Sequence, residues 1–481
     1  MSWKDFRRNI YATLVHAAKK WPDRLAIADE HGTLTFAQLY EQTEALKNKL
    51  LAAGVQKQTG LSIITKNSRH FSIGLYAGLA CECVVMPLAP YQRPDEIRKA
   101  LSEARIHFIL TDNAEIAQLG SHAALLSPSF YFSTTGFDIH DHTVPFLRQA
   151  AVMRFTSGTT GDAKCVVLSH ESILERIEAA NEGLQITEND RVIWVLPMAY
   201  HFIVSIMLYV RFGAGIIICE DFLAENMVEN AEKYQGTFLY ASPLHIRLLA
   251  SAKKDFSLPH LKRVISTTTG ISPVICKSFE EKFHLPVSQA FGIIEIGLPI
   301  INFKKSKENP EAVGYALPAF TISVLNNDMQ ILPPNNIGKL AIKGPGMFDG
   351  YLSPPTPRSN ILEDGWFLTG DLAVVHDDGL IEIKGREKNM INVSGNKVFP
   401  SEVEEAINQF PGVVMSKVYG QLHPLMGEIV TADVVLMTVT TFDQEDLISY
   451  CRQVLSPFKI PQRIRVVENI EMTGSGKIKR G

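Results

Sequence analysis

Cysteine is scarce. The 481 residues hold six, Cys81, Cys83, Cys165, Cys219, Cys276 and Cys451. Only Cys81 and Cys83 are neighbours, and a lone C-x-C with no second pair at zinc-type spacing excludes a zinc ribbon or a disulfide-stapled scaffold. Reduced thiols in a cytoplasmic protein are the expectation. An excess of one charge is also missing. Forty-seven basic and 51 acidic residues leave a formal net charge of −4, without the basic footprint of a nucleic-acid binder. Met1 to Arg7 leads into no long apolar run, so no signal peptide is expected. No repeat of solenoid length is present.

Long uncharged runs are nearly absent. One segment, Val192 to Val210, has no Lys, Arg, Asp or Glu and reaches the length of a membrane span. Pro197 and His201 near its middle argue instead for a buried strand, a turn and a buried helix. With no second such segment, no transmembrane segment is expected.

What is present is core material. Hydrophobic residues are 46% and charged residues 20%, and at roughly 150 residues per domain the chain has room for about three packed units. Short apolar runs alternate with amphipathic stretches, the pattern of an α/β fold on a mostly parallel sheet. Leu61 to Ile64, Phe108 to Leu110, Phe238 to Tyr240 and Val264-Ile265 read as strands. Ala37 to Ala53 and Asp95 to Ala104 read as helices. After about Gly314 short strands and Pro/Gly turns predict a β-rich subdomain. After Gly385 the texture predicts a small α+β domain, in which Ser401 and Glu404 behind Pro400 form a capping box. The expected division is a domain of residues 1–385 and a smaller one of 386–481.

The strongest local signal is Phe155-Thr156-Ser157-Gly158-Thr159-Thr160-Gly161-Asp162-Ala163-Lys164. Small residues let backbone N–H groups approach a phosphate chain, hydroxyls add donors, and Lys164 adds a point charge. The spacing is not that of a Walker A loop, since Cys165 follows the lysine. The cluster lies between two apolar strands, Ala151 to Met153 and Val166 to Leu168.

This run resembles the phosphate loop of the adenylate-forming superfamily: acyl-CoA synthetases, aryl-acid ligases and nonribosomal adenylation domains. Further stretches resemble the family's other motifs in the family's order: Leu34-Thr35-Phe36 to Leu39, Phe291-Gly292-Ile293-Ile294-Glu295, Gly365 to Asp371, Gly385-Arg386-Glu387-Lys388, and Thr473 to Ile478. The resemblance implies a large N-terminal α/β domain and a small mobile C-terminal α+β domain. It implies an ATP-dependent acid–thiol ligase that forms an acyl-adenylate and then a thioester, on coenzyme A or on a carrier protein's phosphopantetheine.

Residue roles follow from the same resemblance. Thr156, Ser157, Gly158, Thr159, Thr160, Gly161 and Lys164 would hold ATP phosphates. Gly270, Phe291 and Gly292 would border the adenine. Asp371 would accept from the ribose diol with Arg386 assisting, and Glu295 would hold Mg²⁺. Lys477 would neutralise charge between the carboxylate and the α-phosphate. Lys388 would be a hinge, and Gly395 would line the thiol tunnel. Tyr200, His201, Ala290 and Gly292 would border the acid. Met198 to Tyr209 has no Asp or Glu to pair with an amino group, which points to a fatty or aryl acid. Departures also stand out. Ala163 replaces the loop proline, Ile294 replaces a phosphate-binding Thr, and Thr267-Thr268-Thr269 replaces a Gly-rich run. They motivate an alternative reading, a degenerate adenylate-binding protein.

Overall fold

The computed structural model describes residues 9–137, 149–156, 164–219, 223–254, 256–423, 427–437, 442–473 and 478–480. The chain folds into two compact units. Of the described residues, the larger comprises those up to 320 together with 344–362, and the smaller comprises 321–343 and those from 363 onward.

The larger unit holds two nine-stranded sheets. One runs Tyr315–Ala316, Gly297–Ile301, Val287–Ile293, Arg263–Ser266, Phe238–Ala241, Arg191–Trp194, Gly215–Ile218, Leu25–Asp29 and Gly32–Thr35. Its interior pairs are parallel and its edges antiparallel. Strands buried on both faces read as unbroken apolar runs, as in the fully buried Phe238–Ala241. The second sheet runs Thr356–Pro357, Gly350–Tyr351, Cys165–Ser169, Ala150–Phe155, Val84–Pro87, Gly60–Ile64, Phe108–Thr111, Phe130–Thr134 and Ser121–Ser127.

Local chemistry starts and seats the helices on these sheets. Thr35 and Gln38 form a reciprocal capping box that opens helix Phe36–Ala52. Ser169 caps helix His170–Leu184. Helix Arg69–Ala80 lies close on its sheet. A Cβ at Gly78 would come within 2.9 Å of the Leu61 and Val85 side chains. The uncharged segment folds as strand Arg191–Trp194, a turn after Pro197, a π-helical turn Phe202–Met207 and helix Leu208–Phe212. Among the described residues no helix is long and apolar enough to cross a membrane.

The smaller unit holds an antiparallel sheet of Thr321–Leu325, Ile337–Lys343, Phe367–Val375 and Ile381–Arg386. Its second sheet runs Asn396–Val398, Ile391–Val393, Gly427–Leu436 and Val413–His423, with Arg463–Val466 pairing parallel to Gly427–Leu436. Helices Pro400–Asn408 and Gln444–Val454 contribute Val403, Ile407, Leu447 and Cys451 to its core. The capping box expected at Ser401 is not formed. Pro400 is the first helical residue and Phe399 the N-cap, so Ser401 falls inside the first turn and donates to Lys384 O at 3.2 Å. Glu404 turns inward, where its Oε1 accepts the Val418 N–H at 2.7 Å. All six cysteines are buried and unbridged.

Candidate active site

The strand pair Ala150–Phe155 and Cys165–Ser169 is antiparallel, with Phe155 opposite Cys165 and Arg154 opposite Val166. Thr156 and Lys164 close its mouth. Thr156 N donates to Lys164 O at 2.9 Å, and Lys164 N donates to Thr156 Oγ1 at 3.1 Å. Ser157, Gly158, Thr159, Thr160 and Gly161 lie outside the described residues.

Strand Gly350–Tyr351 lies alongside, with Tyr351 opposite Val166. Lys164 Nζ is 4.5 Å from the Tyr351 ring centroid, and Tyr351 OH donates to Glu295 Oε1 at 3.0 Å. A cation, an aromatic ring and a carboxylate are thus aligned. Burial and the Glu295 carboxylate hold the Tyr351 phenol well above its ordinary range, so it stays a donor. Tyr351 escapes sequence reasoning because its two-residue strand pairs with residues far away in the chain.

Glu295 sits at the turn between Val287–Ile293 and Gly297–Ile301, where the register slips after Phe291. A Cβ at Gly292 would lie 2.6 Å from Gly297 O, so the close approach requires glycine. Arg176, on helix His170–Leu184 and 1% exposed, fixes this turn from below. Its Nη1 donates to Ile294 O at 2.8 Å, its Nη2 to Glu295 O at 3.4 Å, and its Nε to Gly346 O at 2.9 Å. Glu175 Oε2 accepts the Gly346 N–H at 3.0 Å. Gly346 has φ +65°, and a Cβ there would strike Arg176 N at 2.4 Å. Burial pulls the Arg176 pKa down to about 9, which still leaves it charged at neutral pH. Phe348 N donates to Glu295 O at 2.8 Å. Arg176 is a second residue that motif reading misses; a lone arginine in an amphipathic helix carries no local signal.

Phe291 is half-buried, Gly292 exposed and Ala290 buried on the same strand. Gly270 is exposed in the loop before helix Pro273–Phe283, with open space where a Cβ would stand. Tyr200 and His201 are half-buried at the turn after Pro197, whose carbonyl accepts both backbone N–H groups. Ser205 Oγ donates to His201 O at 2.6 Å. Phe202 is buried edge-on against Phe71, with ring centroids 5.9 Å apart.

In the smaller unit Asp371 and Arg386 are register partners. Arg386 Nε lies 2.9 Å from Asp371 Oδ1, and its Nη1 donates to Thr369 O at 2.8 Å. Asp371 N donates to Thr369 Oγ1 at 3.0 Å. The carboxylate is therefore both buried and oriented. Lys388 follows in the 3₁₀ turn Glu387–Asn389. Ser394 at φ +49° and Gly395 at φ +88° form a two-residue hairpin turn between Ile391–Val393 and Asn396–Val398.

Lys477 lies outside the described residues, but its flanks are anchored. Met472 bridges Ile478, and Lys479 N donates to Glu471 O at 2.8 Å. Arg480 forks onto both Glu404 oxygens at 2.8 and 2.6 Å and donates to Val418 O at 2.9 Å. Burial raises the Glu404 pKa while Arg480 pulls it back. Among the described residues no group of three His, Cys, Asp or Glu side chains is placed to hold a metal.

The fold is that of a two-unit α/β enzyme. The chain belongs to the AMP-binding enzyme family: that family's model matches residues 14–352, and the model of the AMP-binding enzyme C-terminal domain matches residues 402–477. Oxalate–CoA ligase of Arabidopsis thaliana is 27% identical over 494 residues, covering 97% of this chain and 96% of the relative. Long-chain-fatty-acid–CoA ligase of Bacillus subtilis is 23% identical over 524 residues, covering 98% and 93%. The structure of o-succinylbenzoate CoA synthetase from Bacillus subtilis, in complex with its acyl-adenylate intermediate, superposes with a TM-score of 0.86 at 21% identity, covering 97% and 96%. At that identity the superposition speaks for the fold.

Proposed function

We propose that this protein is an ATP-dependent carboxylic acid–CoA ligase. The acid's carboxylate oxygen attacks the α-phosphorus of ATP and pyrophosphate leaves. The thiol sulfur then attacks the acyl carbon, giving the thioester and AMP. The observation that carries the reading is the Lys164–Tyr351–Glu295 alignment at the mouth of the Thr156–Lys164 loop, in a chain that both family models match. A cation and an oriented carboxylate beside a loop rich in small and hydroxyl residues suit a polyphosphate.

In this reading Thr156, Lys164 and the loop between them bind the phosphates. Asp371, its Oδ1 held by Arg386, accepts hydrogen bonds from the ribose diol. Phe291 and Gly292 border the base, with Gly270 nearby in the family's arrangement. Lys477 stabilises the charge that develops between carboxylate and α-phosphate. Arg480 and the Met472–Ile478 bridge hold the ends of its loop. Lys388 is the hinge between the half-reactions, and Gly395 borders the thiol path. Tyr351 engages one oxygen of Glu295 and leaves the other, which fits the single-carboxylate share that a protein gives Mg²⁺. Bound there, Mg²⁺ would offset phosphate charge.

The two relatives differ in their acids, one a short dicarboxylate and the other a long-chain fatty acid, so kinship does not choose the acid. Coenzyme A is the proposed acceptor because both relatives are named for it; a carrier-protein phosphopantetheine is the competing one. Product analysis tests the reading. Incubation with ATP, Mg²⁺, coenzyme A and a panel of fatty, aryl and dicarboxylic acids is expected to yield AMP, pyrophosphate and an acyl-CoA in equal amounts. ADP and phosphate as products would overturn it.

A further inference from the structure

Arg154 carries a charge that no ion pair among the described residues neutralises. It lies on strand Ala150–Phe155, where side chains alternate between faces. Met153 enters the core beneath the sheet, so Arg154 projects to the opposite face. There its guanidinium carbon lies 5.5 Å from the Tyr200 ring centroid. The side chain is half-buried, and its Nε is buried with no hydrogen-bond partner among the described residues. Burial lowers its pKa to about 10, opposed by Tyr200 and Glu295, so at neutral pH it remains a cation. The Glu295 carboxylate acts on it only from a distance, without an ion pair among the described residues. A half-buried cation with no ion-pair partner among the described residues is costly, and a planar fork of donors suits a carboxylate in bidentate geometry.

The position says which anion this is. Thr156 and Lys164 close the loop mouth. Arg154 stands further down the strand, opposite Val166, and against Tyr200. Tyr200 belongs to the turn after Pro197, which in the ligase reading borders the acid rather than the nucleotide. We infer that Arg154 binds a second anionic group on the acid substrate, so that the preferred acids are dicarboxylates or their aryl equivalents. The Tyr200 ring lies within cation–π reach of the guanidinium and favours the charged form beside the acid. This inference rests on the ligase reading and narrows its substrate.

The test uses acids matched in carbon number: malonate, succinate and glutarate against propanoate, butanoate and pentanoate, each in acid-dependent ATP–pyrophosphate exchange. At least one diacid is expected to exceed its monoacid partner in kcat/KM by about tenfold or more. In Arg154→Met that diacid-to-monoacid ratio is expected to fall about a hundredfold, with the loss in the diacid KM rather than in the KM for ATP. Arg154→Lys keeps the charge without the fork and is expected to lose less. It also serves as the working variant should Arg154→Met fold poorly. A wild-type preference for monoacids throughout would overturn the inference and leave the ligase reading standing. So would a variant whose KM for ATP rises while both acids suffer alike, because that assigns the cation to a phosphoryl oxygen. Failure of all six, with exchange supported by a fatty or aryl monoacid, would overturn the inference alone; failure of those acids as well would overturn both.

Discussion

Arg176 carries its charge into the interior of the larger unit and gives it to three carbonyls, those of Ile294, Glu295 and Gly346. Those carbonyls belong to the turn that presents Glu295 and to the turn that precedes Tyr351, so one buried side chain sets the spacing of two site residues. Arg176→Met would leave the three acceptors without their donor. Unsatisfied buried groups cost about 1–3 kcal/mol each before relaxation, so unfolding in urea is expected to show a loss of about 3–5 kcal/mol. A loss below about 1 kcal/mol would show that water or a backbone shift serves in its place. The motif residues themselves are legible in the sequence. Thr156, Lys164, Glu295, Asp371 and Arg386 stand out from local chemistry and family resemblance. The structure places Thr156 beside Lys164, Lys164 and Glu295 on the same tyrosine, and Asp371 against Arg386. Arg176 and Tyr351 are not legible, because their roles arise from hydrogen bonds that span 118 and 56 residues of the chain.

Elements are legible where side-chain periodicity is local. Helix Phe36–Ala52, helix Pro94–Glu103 and strand Gly60–Ile64 lie within a residue or so of their expected bounds. Ser401 and Glu404 show the opposite case. Their spacing fits a cap, yet Pro400 opens the helix and tertiary partners take Glu404. Helix Pro243–Ser251 supplies a prediction at this scale. Its first turn buries His245, whose Nδ1 lies 2.7 Å from Ser242 Oγ at the N-cap. Burial lowers the His245 pKa from 6.5 to about 4. The unfolded chain therefore takes up a proton below pH 6.5 that the folded chain refuses until about pH 4. Stability from this group is full above pH 6.5 and is lost as pH falls toward 4, by about 3 kcal/mol in all. Urea unfolding between about pH 7 and pH 4 is expected to show that slope, and His245→Gln to reduce it. An equal slope in the variant would assign the acid sensitivity elsewhere.

At the scale of the whole molecule, the proposed site residues divide between the two units. The larger unit holds the loop mouth, Glu295 and the Tyr200 turn. The smaller unit holds the Asp371–Arg386 pair and both flanks of Lys477. The α/β pattern of the first three hundred or so residues, the β-rich texture after Gly314 and the α+β texture after Gly385 are all readable from the sequence. The grouping of strands Thr321–Leu325 and Ile337–Lys343 with the C-terminal sheet is not, since it depends on which surfaces meet. In the proposed reaction the chain makes an acyl-adenylate before any thiol is present. Acid-dependent exchange of labelled pyrophosphate into ATP, without coenzyme A, tests it most directly. Exchange is expected with at least one acid, with a loss of about two orders of magnitude or more in Lys477→Ala. ATP binding without acid-dependent exchange, or equal exchange in Lys477→Ala, would contradict it.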